Sequence, residues 1–111
     1  MHILAIEREL AARLPPGAAE TLRAEIAGLW DLHKRGLVRE LWAASDGRAV
    51  LLLEAANAAD ATRQLATLPM VRTGRVEFTV LELRPYAALE RLFEGGTAPT
   101  PLTKPAEPPE Y

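Results

Sequence analysis

Two apolar runs that meet at Asp46-Gly47 dominate the hydrophobic pattern. Leu37-Val38-Arg39-Glu40-Leu41-Trp42-Ala43-Ala44-Ser45 leads into the pair, and Arg48-Ala49-Val50-Leu51-Leu52-Leu53-Glu54 leads out. Asp-Gly between such runs signals a hairpin with a two-residue loop, because a type I′ turn needs positive φ at both central residues. That loop predicts the register: Ala43 faces Val50, Trp42 faces Leu51, Leu41 faces Leu52, and Arg39 pairs with Glu54. One face then holds Leu37, Leu41, Ala43, Val50 and Leu52. The other holds Val38, Trp42, Ala44, Leu51 and Leu53, with Glu40 among them. Neither face is polar enough for water, so both need cover.

The rest of the chain supplies part of that cover. Residues 2–8 alternate as a first strand, with Ile3 and Ala5 on one side and His2, Leu4 and Ile6 on the other. Glu9 to Arg13 either extend it or begin a helical turn, and Pro15-Pro16-Gly17 breaks whatever precedes. From Ala18 to Arg35 the period turns helical, with Leu22, Ile26, Leu29, Trp30 and His33 on one stripe and Glu25 at its border. Gly36 suits the C′ position, and Lys34-Arg35 suit the helix dipole. Asn57 is placed to cap a second helix over 58–68, which Pro69 ends. A short connection leads to a strand over 75–84, with Val76, Phe78 and Val80 on one side and Leu81 and Leu83 on the other. After Pro85, Ala87 to Phe93 predict a short apolar turn of helix folded back on the body.

The order is β-α-β-β-α-β, the ferredoxin-like arrangement of the α+β class, with a four-stranded antiparallel sheet. Its helices cover one sheet face and leave the other apolar. Two copies packed sheet to sheet about a two-fold axis would close it, as a dimeric α/β barrel. This domain spans residues 1–94. Residues 95–111 carry five of the nine prolines and predict an extended tail.

Composition narrows the function classes. A chain of 111 residues makes one domain. A net charge of −2 and a pI near 5.7 give no electrostatic case for nucleic acid or an anionic membrane. The absence of cysteine rules out disulfides, thiolate metal sites and cysteine nucleophiles. With two histidines about thirty positions apart, no protein-only metal site is expected. No apolar run approaches the ~18 residues of a membrane span. The opening His2-Ile3-Leu4-Ala5-Ile6 lacks the basic start of a signal peptide, so the expected compartment is the cytoplasm.

One stretch resembles a known family. Gly36 before the strand, Arg39, the Leu41-Trp42 pair, Leu68-Pro69 and the terminal Arg84-Pro85 resemble the muconolactone isomerase-like branch of the dimeric α/β-barrel proteins, over residues 20–86. The resemblance implies sheet-to-sheet dimers or a larger ring, C-terminal segments that reach a neighbour, and a pocket between helix and sheet. It implies no cofactor. The family's reaction shuttles a proton beside a lactone carbonyl, which needs a general acid/base and a positive group for the enolate-like intermediate.

Candidate residues follow from their positions. His33 on the helical stripe is a candidate general base, or a boundary histidine bonded to a backbone carbonyl. Glu25 could carry the proton. Arg39 could meet an anionic substrate if its face is closed, and otherwise pairs with Glu54. Trp30 and Trp42 offer flat apolar surface to a pocket or to the core. Arg84, with Arg72 and Arg75 around the last strand, could hold a carboxylate. His2 ends a strand and is expected in solvent. These residues support a cofactor-free isomerase for a small organic acid or lactone. The alternative is a non-catalytic oligomeric scaffold or small-ligand-binding module.

Overall fold

Alternation places β1 (His2–Glu9) in the middle of the sheet, since it carries apolar residues on both sides. The computed structural model describes residues 1–10 and 18–96. The expectations for residues 11–17 and for the tail beyond residue 96 lie outside that range. After β1 come α1 (Ala18–Lys34), β2 (Val38–Ala43), β3 (Ala49–Glu54), α2 (Ala58–Leu65), α3 (Pro69–Arg72) and β4 (Val76–Glu82). A 3-10 helix, Ala87–Gly96, follows. The four strands form one open antiparallel sheet in the order β2-β3-β1-β4, so this is an α+β fold whose topology fits the ferredoxin-like order. No helix among the described residues is long and apolar enough to cross a membrane.

Pairing sorts the side chains into two faces. Ile3 and Ala5 lie opposite Leu53 and Leu51, and Ala5 also lies opposite Val80. With Val38, Leu32, Ala61, Leu65 and Leu68 they make the buried core on the helix side. The opposite face presents Leu4, Ile6, Val50, Leu52, Trp42, Leu81 and Leu83. Trp42 is 64 % exposed there, and nothing in the described chain packs over it.

The hairpin differs from the sequence expectation by one residue. Ala44 N–H donates to Arg48 O and Gly47 N–H donates to Ala44 O, both at 2.8 Å, which closes a three-residue loop, Ser45-Asp46-Gly47. Only Gly47 takes positive φ, at 90°, so the type I′ turn is absent. Asp46 instead accepts from the Arg48 N–H at 3.1 Å and from its guanidinium at 2.8 Å. Leu41 therefore faces Leu51, and Trp42 faces Val50. A shift of one residue exchanges the faces of one strand relative to its partner. It puts Leu41 and Ala43 on the helix side and joins Trp42 to Val50 and Leu52 on the open side. A bulge at Arg39 shifts the pairing again, so that Val38 meets Leu53. Arg39 is left outside the ladder, and its expected pairing with Glu54 does not form. Glu54 instead takes the Met1 ammonium and His2 Nδ1, the latter at 2.8 Å. Gly47→Ala should cost about 1–2 kcal/mol in chemical denaturation, since an L side chain there is strained. An unchanged midpoint would mean the loop is not held in this conformation.

Helix ends follow local chemistry. Gly36, at φ 85°, donates its N–H to His33 O, and Leu37 N–H reaches Leu32 O, a Schellman closure of α1. Asn57 Oδ1 accepts the Asp60 N–H at 2.7 Å and caps α2. That helix stops at Leu65, earlier than the expected 68, and Pro69 opens α3 where a bare connection was expected. Of the expected stripe of α1, Leu29 packs against the core and His33 is half-buried, but the rest is not the buried face. Leu22, Ile26 and Trp30 are exposed, whereas Glu25 and Leu32 are buried. The helix is turned by one residue, about 100°. Gly28 permits this close packing, since a Cβ there would come within 2.9 Å of Leu68 Cδ2. A bulkier residue would push α1 off the core at that point.

Candidate functional site

The turn of α1 brings Glu25 inward. Its side chain is 4 % exposed, and its Oε1 accepts the Met70 N–H of α3 at 3.0 Å. Burial raises its carboxyl above the ordinary value of 4.5. The Met70 N–H works against that rise, the Glu7 carboxylate adds to it, and the Arg72 guanidinium opposes it. Glu7 comes from β1 and continues the inward alternation of Ile3 and Ala5. Its own Oε1 accepts the Ala49 N–H at 3.1 Å. Beside this pair a cleft of about 200 Å³ opens between the sheet end and the hairpin tip. Glu7, Glu9, Arg48, Met70, Arg75 and Val76 are among its walls. A buried carboxyl that holds its proton more firmly than in water, next to cationic side chains, can donate or accept a proton.

The other predicted residues are not brought to this place. His33 lies two turns further along α1, about 12 Å from Glu25 along the axis. Its Nδ1–H donates to Val38 O at 2.8 Å, since a carbonyl can only accept, and its ring tilts against Trp30 with centroids 5.5 Å apart. This bond ties the end of α1 to the start of β2. Trp30 is exposed on the outer side of α1 and Trp42 on the open sheet face, so the two indoles share no site. Trp42 Nε1–H donates to Glu40 Oε1 at 2.9 Å, which gives Glu40 its partner at the sheet edge. Arg39 is exposed at the bulge. Arg84 pairs loosely with Glu82 at 3.9 Å, at the far end of β4 from Arg75. His2 is exposed, on Glu54.

Glu7 is not among the candidate residues that the sequence pattern singles out. Its signal was present, because it stands two positions after Ala5 on a strand whose inward side is apolar. Below α1 the space is filled by Leu32, Val38, Leu51, Leu53 and Leu68. A second cleft, about 370 Å³, lies at the opposite end of the sheet against Arg35, Gly36, Leu37, Glu54 and Gln64. Among the described residues, no group of three or more His, Asp or Glu side chains could hold a metal ion. No protein-family model matches this chain, and no curated protein does.

Proposed function

We propose that this chain works as a self-associating module in which two copies pack their open sheet faces together as a dimeric α/β barrel. One observation carries the reading: Leu4, Ile6, Val50, Leu52, Trp42, Leu81 and Leu83 form a continuous apolar surface on a sheet that, among the described residues, is covered only on its other side. Surface of that extent marks an interface, and a two-fold axis lets one patch serve both copies. The rim is polar, with Arg8 paired to Glu77 and Glu40 to Trp42, as interface rims commonly are.

A second reading has one observation in its favour. The buried Glu25, beside Glu7 and the Arg75-lined cleft, has the setting of a general acid/base. It would suit the proton-transfer isomerase acting on a small organic acid or lactone that the resemblance to the muconolactone isomerase-like proteins implies. His33 plays no part in that reading, since it is engaged with Val38 at a distance.

Light scattering on the eluting protein tests self-association. The full chain is expected at twice its 12.1 kDa mass at micromolar concentration. Trp42→Glu and Leu81→Glu alter residues exposed in the single copy, so each should fold and run at the single mass. A wild-type chain at the single mass throughout that range would overturn the reading.

A further inference from the structure

Past the last strand the chain carries a second apolar surface, which no other described residue covers. Tyr86, Leu89, Leu92 and Phe93 are all exposed, Phe93 to 78 %. In a 3-10 helix residues three apart eclipse, so Leu89 and Leu92 stand in one row after Tyr86, and Phe93 flanks that row beyond Glu90. The structure holds this segment in the 3-10 helix Ala87–Gly96. Runs of that kind longer than about four residues are uncommon, because their hydrogen bonds are poor. Such a segment gains from a surface to pack on.

The open sheet face is likewise uncovered by the described residues, and the chain leaves from its edge. Leu83 still lies on that face, its N–H donated to His2 O at 2.8 Å. Residues 84–86 can span about 10 Å, which matches the roughly 10 Å between packed layers. Residues 87–93, at the 3-10 rise of about 2 Å each, run about 14 Å, which matches the roughly 14 Å that separates the two edge strands of a four-stranded sheet. Reach, width and polarity agree. We infer that residues 86–93 are a strap that closes over the open sheet face of their own chain and competes there with a second copy. The inference rests on the proposed self-association for the identity of the competitor. A short tether gives the strap an effective concentration near the millimolar range, so its own chain captures it first when the protein is dilute.

The test uses the full chain and the double variant Leu89→Glu/Phe93→Glu, both carrying Trp30→Phe so that Trp42 alone reports. Sedimentation gives the dimer Kd, and acrylamide quenching at single-copy concentrations gives the exposure of Trp42. The double variant is expected to bind its second copy about tenfold more tightly, or better, because a competing closed state has been removed, and to quench more strongly. Unchanged quenching overturns the strap whatever the dimer does, and a weaker dimer overturns it too by placing the segment inside the interface. Stronger quenching with unchanged Kd overturns the competition. If neither protein associates at any concentration, the self-association reading fails and stronger quenching in the variant still upholds the strap.

Discussion

Leu51→Ala is expected to lower the unfolding free energy by about 2–5 kcal/mol, the range for emptying a buried leucine site. Leu51 is fully buried on an inner strand, opposite Ala5 of β1 and Leu41 of β2. Its neighbours are held by two ladders and cannot collapse far into the space, which argues for the upper part of the range. Against a typical total of about 5–15 kcal/mol, a loss of that size leaves the fold marginal. Leu52→Ala, one position along, removes a half-buried side chain from the open face. Its cost should be smaller in the dilute protein and should grow with concentration as association begins to contribute. Urea melts at two protein concentrations separate the cases. Equal, concentration-independent losses at the two positions would contradict the division of faces described above.

Glu25→Gln is expected to stabilise the protein at neutral pH and to lose that advantage in acid. The folded carboxyl titrates above 4.5 because burial and Glu7 disfavour its charged form. Over the window from about 4.5 up to the folded value, the native state therefore binds more proton than the unfolded chain. Its stability falls as pH rises through that window, then levels off. Glutamine keeps a carbonyl oxygen for the Met70 N–H and carries no charge, so the variant should lack this slope. Glu25→Ala removes the acceptor as well. The half-buried Met70 N–H then goes unpaired at a cost of about 1 kcal/mol, which offsets the relief of the charge. Melts of the three proteins between pH 4 and pH 8 decide the matter. Parallel curves for wild type and Glu25→Gln would show that the carboxyl is not held inside.

Much of the fold was legible from side-chain period and end chemistry. Alternation in β1 and β4 placed Ile3, Ala5, Val76, Phe78 and Val80 on the inward side and Leu4, Ile6, Leu81 and Leu83 on the other. Gly36 and Asn57 ended and began helices as their chemistry requires. The hairpin register was not legible. Asp46-Gly47 suits a two-residue loop with both residues left-handed and also a three-residue loop with glycine alone left-handed. The second wins here, since Asp46 keeps negative φ and binds Arg48. The candidate site was legible only in part, because a glutamate at the border of a helical stripe can turn either way. Glu25 goes inward once Gly28 lets α1 settle on Leu68.

Local spacing thus sufficed for the four strands and two main helices, for the end of α1 and the start of α2, and for a sheet with oil on both sides. These depend on neighbours a few residues apart, and period and capping residues record them. Packing between distant segments chose the rest. It rotated α1 by about 100° and drew Glu25 under cover. Both outcomes turn on contacts between residues far apart in the chain, Gly28 with Leu68 and Glu25 with Met70. A repeat pattern carries no record of which partner lies across the gap.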